Sequence, residues 1–389
     1  MWDVIVVGSG PAGAAAAIAA RRVLPRGRVG LVDRAEFPRD KTCGDGVAPH
    51  ALDVLARLGV RGLLDDWTPV HRLRLAFPGG PELAGEMLRP TYVVPRAVLD
   101  ARLRAVALGR GAEPLHHRVR TVSRFDDHVV LDGRLEARVV IGADGAYSAV
   151  RAAIGQEPPP GRTAIAVRAY VPLGALAKDE QVIALSPDGS AGYPAYAWAF
   201  PIGDGRANVG YGELLPASGG TPTRARLLGR LHELLPDVDE PGPFRGHHLP
   251  LSTAGTRQPD GRVLLVGDAL SLVNPLTGEG IHAAVLSGAL AGIAAARAVR
   301  GTVADPGRDY RTALRGAYGR HTRHVDLLAR LARPRAVAAG LRGVGSRRRV
   351  FDDLVDLGLA DGPVTASVLG TIGREMASKA VRSVTGRSR

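Results

Sequence analysis

The thiol of the single cysteine, Cys43, is a reactive side chain in a short glycine-rich loop at residues 40–46, here called the cysteine loop. A thiol can donate or accept a proton, and positive charge from neighbours such as Arg39 and Lys41 tunes its pKa. Asp45 is a second candidate in the loop, because a carboxylate can relay a proton or orient the backbone. The alternatives are that the cysteine only fills space and that the aspartate only forms a turn. We take Cys43 and Asp45 as candidate catalytic residues.

Aromatic side chains concentrate in a later segment of the chain. Tyr196, Trp198 and Phe200 alternate with other residues, and alternation places their rings on one face of a β-strand. That face can be packed sheet core or the wall of an apolar substrate pocket. On the second interpretation Tyr196 and Trp198 join the candidate catalytic residues.

The elements that must position these residues begin with a dinucleotide-binding pattern at the N-terminus. The pattern predicts a buried strand at 3–7, a helix rich in alanine at 14–22 and a second strand at 29–32. Asp33 follows the second strand, where a carboxylate can bind ribose hydroxyls and disfavours a 2′-phosphate. The pattern therefore indicates FAD or NAD.

The glycine-rich turn between the first strand and the helix has a physical role at each position. Gly8 makes the tight turn, Gly10 lets the backbone approach a diphosphate, and Gly13 allows the helix and strand to pack closely. The helix N-terminus offers free amides to phosphate oxygens. The predicted cofactor-binding residues of this part of the chain are Gly8, Gly10, Pro11, Ala12, Gly13, Asp33 and Arg34.

A second helix N-terminus far along the chain favours FAD over NAD. Asp268 follows a buried strand and can bind a ribityl chain. Gly278 and Gly280 precede a helix predicted at 281–299, whose dipole would stabilise negative charge on a reduced flavin ring. NAD needs no such second site, so Asp268, Gly278, Gly280 and Ile281 are predicted to bind FAD.

Composition limits the remaining possibilities. The net charge of +13 comes almost wholly from arginine, and few aromatic residues are interleaved with it, so we expect no nucleic-acid partner. One cysteine fits a reducing cytoplasm and excludes both a disulfide framework and a structural zinc site. The N-terminus does not resemble a signal peptide, and the most apolar helix candidate, 281–299, carries His282 and Arg297. We expect a soluble cytoplasmic protein without a membrane span.

Three segments in this order resemble the flavoprotein hydroxylase-type fold, which also includes halogenases and geranylgeranyl reductases. They are GSGPAG at 8–13, GADGAYSAVR at 142–151 and GDALSLVNPLTGEGIHAA at 267–284. The resemblance implies one extended FAD, with its adenine at the first βαβ unit and its ring at a second domain. It also implies that Arg96 lies beside the flavin, although on sequence alone Arg96 could be the surface residue of a helix start.

Two further segments are similar to the geranylgeranyl reductase family in particular: DKTCGDG at 40–46, which adds Gly44 to the cofactor-binding set, and YAWAFP at 196–201. Halogenases of this fold typically have W-x-W-x-I-P at the strand and a nearby lysine, and hydroxylases generally lack the cysteine loop. One departure is Ile202, which stands where many of these reductases have lysine and leaves recognition of a polar head group open.

The resemblance implies a reductase that saturates carbon–carbon double bonds of an isoprenoid or related apolar substrate, with Cys43 as the candidate proton donor. NAD(P)H or a protein donor would supply electrons transiently. The alternatives are an FAD monooxygenase or a halogenase of an aromatic or polyketide natural product, or a flavin-carrying electron-transfer or binding protein.

The predicted fold class combines α/β and α+β: a Rossmann-like FAD-binding domain, an antiparallel-sheet substrate domain and a C-terminal helical region. The C-terminal region should cover the open side of the substrate domain. Its arginines also suit a peripheral membrane contact or a phosphorylated substrate, and the alternative is a solvated helix face. Its apolar groups are Val325, Leu327, Leu328 and Leu331, and then Val364, Val368, Leu369, Ile372 and Met376. The predicted ranges are 1–70, 93–155 and 255–306 for FAD binding, 71–92 and 156–254 for the substrate domain, and 307–389 for the helical region.

Overall fold

The computed structural model describes residues 1–186, 195–216, 220–238, 243–331 and 348–359, with positions 337, 362 and 365. The strands of this part are β1 (Trp2–Val7), β2 (Val29–Asp33), β3 (Gly46–Val47), β4 (Pro69–Ala76), β5 (Glu82–Val93), β6 (Glu113–His116), β7 (Val122–Arg124), β8 (Val129–Leu131), β9 (Leu135–Gly142), β10 (Thr163–Pro172), β11 (Glu180–Ser186), β12 (Ala195–Pro201), β13 (Arg206–Leu214), β14 (Arg245–Pro250) and β15 (Val263–Leu265). The helices are α1 (Pro11–Val23), α2 (Pro49–Arg57), α3 (Arg96–Gly109), α4 (Ala149–Ala153), α5 (Arg224–Leu234), α6 (Ile281–Val299), α7 (Pro306–Leu331) and α8 (Arg348–Leu359).

The first sheet carries the dinucleotide-binding pattern. Its order is β6-β2-β1-β9-β8-β7, with β15 also beside β9. β1 lies between β2 and β9 in parallel pairing, and Val4, Ile5 and Val6 are fully buried. A continuous apolar strand of this kind is typical of a parallel sheet covered on both faces. The Rossmann-like fold predicted from the sequence is confirmed.

Helices α1 and α6 approach each other unusually closely, because their contact is made of glycine and alanine. A β-carbon built on Gly288 or Gly292 would lie 2.1 or 2.2 Å from the carbonyl oxygen of Ala12 or Ala16, so no larger residue fits. The close contact holds the two helices together, and residues at both of their N-termini line one cavity.

Helix α6 also corrects one expectation. By length and composition it is apolar enough to cross a membrane, although the sequence was expected to contain no such segment. Of its most apolar 18-residue window, 83% is buried within the protein. The helix is therefore buried to the extent typical of a helix in a protein core.

The second sheet has the order β14-β10-β13-β12-β11-β4-β5-β3. All of its pairings are antiparallel except β4 with β11, which is parallel, so the expectation of a purely antiparallel sheet needs this correction. β3 (Gly46–Val47) is a second difference, since it comes from the range assigned to FAD binding but pairs with β5. The cysteine loop therefore runs directly into the edge of this sheet.

The C-terminal helix α8 covers part of the second sheet. Val350 and Phe351 are buried in a cluster with Leu73, Leu83 and Met87. The Phe351 ring rests on Gly85, where a β-carbon would lie 3.1 Å from it. Residues 348–359 thus pack against β4 and β5 of the second sheet.

Helix α7 divides the first apolar group predicted for the C-terminal region. Val325 is fully buried, whereas Leu327 and Leu331 are 56% and 61% exposed. The second predicted group, Val364, Val368, Leu369, Ile372 and Met376, lies outside the described residues, as do Arg333, Arg335, Arg342, Arg347 and the arginines of the tail.

Candidate active site

One cavity of about 940 Å³ joins the two sheets. The N-termini of α1 and α6 and the cysteine loop border it, the second sheet forms its roof, and α8 closes its far end. Of the residues predicted to bind cofactor or to act in catalysis, all except Gly13 line this cavity: Gly8, Gly10, Pro11, Ala12, Asp33, Arg34, Cys43, Gly44, Asp45, Arg96, Tyr196, Trp198, Asp268, Gly278, Gly280 and Ile281. Gly13 lies behind it, where a β-carbon would meet the Gly8 carbonyl oxygen at 1.8 Å.

The nucleotide end is formed by the turn into α1. Gly8 has a φ of +103°, and a β-carbon there would lie 2.3 Å from the carbonyl oxygen of Ala143, so this position requires glycine. Gly10 has an ordinary φ of −73°, and the nearest neighbours of a β-carbon on it would be the guanidinium groups of Arg39 and Arg96, each at 3.5 Å, and then Asp100 Oδ2 at 3.8 Å. Two cations therefore lie beside the helix N-terminus, where a diphosphate would bind.

Arg96 begins α3 and is 4% exposed. Its guanidinium makes two hydrogen bonds to Asp100, at 2.7 and 2.8 Å, and Arg39 reaches the same carboxylate at 3.2 Å. Arg96 is thus a buried, oriented side chain rather than the surface residue of a helix start. Its nearness to Gly10 indicates a role toward the phosphates, and contact with the flavin itself stays a prediction.

Asp33 is held by the backbone before any ligand arrives. Its carboxylate accepts hydrogen bonds from the Ser9 amide at 2.8 Å and from the Ala35 amide at 2.9 Å. Each oxygen retains a lone pair that can face the cavity. This geometry fixes the carboxylate in the position expected for binding a ribose.

The ring end is formed by the segment before α6. Asp268 accepts a hydrogen bond from Lys41 Nζ at 2.8 Å, which joins the cysteine loop to this segment. Burial would raise the pKa of Asp268, but Lys41 and then Arg96 lower it below its ordinary value. Gly278 has a φ of +70°, and a β-carbon there would lie 2.6 Å from the Tyr196 hydroxyl. The roof of the cavity is therefore in direct contact with residues 268–280, the segment before α6 that we call the ring-binding segment.

Glu279 lies between Gly278 and Gly280, and sequence reasoning assigned it no role. Its carboxylate accepts a hydrogen bond from the His282 amide at 2.7 Å. Burial raises its pKa to about 8, and Asp268 adds to the effect. The carboxyl group is therefore mostly protonated at neutral pH in the protein without cofactor.

We predict that Glu279→Gln makes the stability of the FAD-free protein less dependent on pH. The unfolded chain releases this proton near pH 4.5 and the folded protein near pH 8, so stability falls as pH rises between these values. Thermal unfolding at pH 5 and pH 8 should show a smaller difference for the variant than for the unsubstituted protein. Glu233→Gln, at an exposed position, is the matched control; equal pH dependence in all three proteins would contradict the prediction.

Cys43 faces the cavity where the cysteine loop meets the roof. Burial raises the pKa of its thiol above the ordinary value of 9.0, and the carboxylate of Asp45 raises it further. Of the two cations expected to tune the thiol, Lys41 does lower its pKa, as does Arg96, but burial and Asp45 outweigh them; Arg39 pairs with Asp100. Cys43 is therefore a protonated thiol at neutral pH, suited to donating a proton rather than to acting as a thiolate.

Asp45 is fully buried and has a φ of +61°, which is rare for a residue other than glycine. Its Oδ2 accepts hydrogen bonds from the Tyr170 hydroxyl at 2.5 Å and from Asn208 Nδ2 at 2.8 Å, while Oδ1 has no partner among the described residues. Burial raises its pKa to about 6 against the opposing effect of these hydrogen bonds. A turn-forming role alone does not account for this environment.

Asn208 links the loop to the roof, and the sequence did not single it out. Its Nδ2 donates to the Cys43 carbonyl at 2.8 Å, and its Oδ1 accepts from Trp198 Nε1 at 2.9 Å. The Cys43 carbonyl also accepts from Arg168 Nε at 3.3 Å. The position of the cysteine is thus set through its backbone by two side chains of the roof.

The predicted aromatic row forms the roof of the cavity. Tyr196, Trp198 and Phe200 all line it, with neighbouring ring centroids 6.0 and 6.5 Å apart. The Tyr196 hydroxyl donates to the Thr277 carbonyl, so it is committed to holding the ring-binding segment. A β-carbon on Gly44 would lie 3.4 Å from Phe200, which shows how closely the loop passes under the rings.

The far end of the cavity is apolar. Side chains from β4, β11 and α8 line it: Leu73, Leu75, Ile183, Leu354, Val355 and Leu359. The polar side chains of Thr91 and Gln181, each 3% exposed, also face this end. The C-terminus of α8 is fixed to the ring-binding segment, because Thr277 Oγ1 donates to the Gly358 carbonyl at 2.7 Å and Asn274 Nδ2 donates to the Leu357 carbonyl at 3.2 Å.

The residues present fit an extended FAD. Two helix N-termini line one cavity, the turn into α1 has room at Gly10, and a carboxylate lies at each end of the path in Asp33 and Asp268. The phosphates would bind beside Gly10, Arg39 and Arg96, and the ring would bind beside the start of α6.

Comparison with known proteins agrees with this assignment. The FAD binding domain family matches residues 1–188. A menaquinone reductase of Mycolicibacterium smegmatis is 35% identical over 361 residues, which cover 85% of each chain. Digeranylgeranylglycerophospholipid reductase 2 of Methanopyrus kandleri is 33% identical over 318 residues, covering 77% of this chain and 78% of that protein.

A solved structure supports the fold over nearly the whole length. A geranylgeranyl bacteriochlorophyll reductase-like protein of Thermoplasma acidophilum superposes with a TM-score of 0.74 at 20% identity, covering 96% of both chains. The fold class and the FAD cofactor expected from the sequence are confirmed.

Proposed function

The chain belongs to the geranylgeranyl reductase family of FAD-dependent oxidoreductases, and from this we propose that it saturates a carbon–carbon double bond in the isoprenoid chain of a lipid. One observation carries the proposal: a protonated thiol, Cys43, lines the same cavity as the residues of its ring end and the apolar side chains of its far end. An isolated double bond has no oxygen to accept developing charge. Its reduction therefore needs an apolar pocket and an acid close to the reacting carbons.

When bound and reduced, FAD would supply the hydride for one carbon of the double bond. The protein must then provide the proton for the other carbon, and Cys43 is placed to donate it. The resulting thiolate would regain a proton from water, relayed by the carboxylate of Asp45, which is buried in the same loop and accepts a hydrogen bond from the half-buried Tyr170. Tyr196 and Trp198 hold the roof over the reacting carbons and exclude water, with their polar atoms committed to Thr277 and Asn208.

The test is anaerobic turnover of polyprenyl substrates by the FAD-loaded protein reduced with dithionite. We expect a product heavier by two hydrogens in the mass spectrum, and NADH, NADPH and a reduced ferredoxin can then be compared as natural electron donors. A product that forms only with oxygen and contains one added oxygen atom would indicate a monooxygenase. Halide incorporation with oxygen would indicate a halogenase. Halogenases of this fold typically have a lysine near the aromatic strand, whereas Lys41, which lines this cavity, is paired with Asp268.

We also propose that the protein works in the cytoplasm at a membrane surface, where a lipid substrate is found. Support comes from α7, where Leu327 and Leu331 are exposed one turn apart, next to the exposed Arg323 and Arg330. Leu327→Glu with Leu331→Glu should weaken cosedimentation with anionic phospholipid vesicles without lowering FAD content. Phe125→Glu, on an exposed turn elsewhere, is the control, and unchanged sedimentation of the double variant would refute the contact.

A further inference from the structure

The Cys43 thiol must regain a proton after each double bond that it helps to reduce. A bound FAD and an isoprenoid chain would occupy the cavity, and the reaction requires water to be excluded from it. The proton must therefore reach the sulfur from outside the cavity. The Tyr196 hydroxyl does not provide this path, because Tyr196 lines the cavity itself and donates its hydrogen bond to the Thr277 carbonyl.

Asp45 connects the thiol to the protein behind the cavity. Its backbone amide hydrogen-bonds the Cys43 sulfur, and its carboxylate is, after burial, the largest cause of the raised pKa of the thiol. Asp45 is fully buried and lines the cavity, whereas its hydrogen-bond donor Tyr170 is not among the residues that line the cavity. The carboxyl group therefore lies between the sulfur and a hydroxyl that approaches from outside the cavity.

Tyr170 leads from Asp45 toward the surface. It is half-buried, and two arginines lie beside its ring, with the guanidinium carbon of Arg168 4.3 Å and that of Arg206 5.6 Å from the ring centroid. Arg168 is buried, whereas the side chain of Arg206 is 52% exposed and pairs with the exposed Asp204. The ring thus lies between the buried side of the cysteine loop and a solvated ion pair at the start of β13.

The groups around the Tyr170 hydroxyl suit a relay rather than an ionised tyrosine. Burial and then the Asp45 carboxylate raise the pKa of Tyr170, and Arg168 opposes them. The hydroxyl is therefore protonated at neutral pH and can give its proton to Asp45 only as it takes another from water. A carboxyl group is a stronger acid than a thiol, so transfer from protonated Asp45 to the thiolate is downhill.

We infer that Tyr170, acting through Asp45, is the entry point for the solvent proton that restores the Cys43 thiol. The inference rests on the proposed function and specifies how its acid is renewed. Water gives a proton to the Tyr170 hydroxyl, the hydroxyl gives its own proton to Asp45, and the Asp45 carboxyl group gives a proton to the Cys43 sulfur. Each thiol regained leaves one hydroxide at the surface, where the buffer neutralises it.

Exchange of the thiol proton in D₂O tests the route without any turnover. Because the chain has a single cysteine, the S–H stretching band in the infrared spectrum belongs to Cys43. In FAD-loaded protein saturated with a fully reduced isoprenoid hydrocarbon, Tyr170→Phe should slow the replacement of this band by an S–D band at least about tenfold, since the positioned hydroxyl is lost. Tyr170→Ser, which makes room for water, should exchange faster than Tyr170→Phe. Tyr211→Phe, which removes another hydroxyl of the second sheet bonded to a carboxylate, is the matched control and should not change the exchange.

Turnover gives the second readout. In a single anaerobic turnover the thiol already carries its proton, so Tyr170→Phe should reoxidise the flavin at a rate within about twofold of the unsubstituted protein. In continuous turnover, with dithionite raised until its concentration no longer limits the rate, the same variant should be at least about tenfold slower. A residue that only holds the loop in place would change both rates together.

Two results would overturn the inference: S–H exchange as fast in Tyr170→Phe as in Tyr211→Phe, or equal slowing of single and continuous turnover in Tyr170→Phe. The exchange experiment also separates this inference from the proposed reaction. Exchange that depends on Tyr170, in a protein that adds no hydrogen to polyprenyl substrates, would refute the reaction alone. A product with two added hydrogens, formed at the same continuous rate by Tyr170→Phe and Tyr211→Phe, would refute the proton route alone.

Discussion

Replacing Cys43 with alanine should slow double-bond reduction by about 10²–10⁴-fold, the range that a positioned general acid contributes. The loop should keep its place, because Asn208 and Arg168 bind the backbone carbonyl of Cys43, which alanine retains. FAD content should therefore be unchanged. The measurement is the rate at which the isoprenoid substrate reoxidises the reduced flavin in a single anaerobic turnover.

The pH dependence of the same rate gives an independent readout. Because burial raises the pKa of the Cys43 thiol above 9.0, the acid stays protonated through neutral pH and its loss should slow the reaction only above pH 9. The rate of Cys43→Ser should lie between the rates of the alanine variant and the unsubstituted protein, since a hydroxyl is a weaker acid in the same position. A rate for Cys43→Ala within about threefold of the unsubstituted protein would exclude the thiol as the required proton donor, given the size of general-acid effects.

Gly10→Ala should weaken FAD binding by at least about tenfold, or about 1.4 kcal/mol, while leaving the FAD-free protein folded. The φ of Gly10 is open to any residue, and the new β-carbon would make only ordinary contacts at 3.5 Å with Arg39 and Arg96. It would occupy the space beside the α1 N-terminus that a diphosphate must approach. Titration of the apoprotein with FAD, followed by flavin fluorescence, measures the loss.

Gly8→Ala is the informative comparison for that variant. Its β-carbon would lie 2.3 Å from the Ala143 carbonyl at a φ of +103°, so this variant should lose thermal stability even without cofactor. Thermal unfolding followed by circular dichroism distinguishes the two cases. FAD affinity of Gly10→Ala equal to that of the unsubstituted protein would place the phosphates somewhere other than the turn into α1.

The elements with local signals were predictable from the sequence. Helix α6 has the bounds expected for it, and β1 differs from the predicted 3–7 by one residue. Both were predictable because the sequence signal for a strand–turn–helix unit with a glycine turn is contained in a few consecutive residues. The parallel pairing of β4 with β11 was missed, since it joins segments more than a hundred residues apart. No local pattern specifies such a partner.

Some residues of the candidate site were likewise predictable from local motifs, whereas others were not. Cys43, Gly44, Tyr196 and Trp198 lie in short motifs and come together as expected, although their roles stay predictions. Asn208, Tyr170, Thr91 and Gln181 were missed because each sits in an ordinary strand pattern. Their positions depend on register: Tyr170 and Asn208 meet the loop only because β10 and β13 place them opposite each other. The raised pKa of the thiol likewise depends on the folded structure, because it follows from burial and from the nearby carboxylate of Asp45.

The interleaving of the two sheets has a consequence for how the chain is synthesised. β1 emerges first, but its sheet is completed only by β15 at 263–265, and the second helix N-terminus follows at 281. The ribosome must therefore release more than two hundred and fifty residues before the cofactor site can close, with β10 to β14 folding in the interval. A nascent chain ending near residue 188 would contain the first glycine turn and the thiol but neither β15 nor α6, so cofactor capture belongs to the late stage of synthesis.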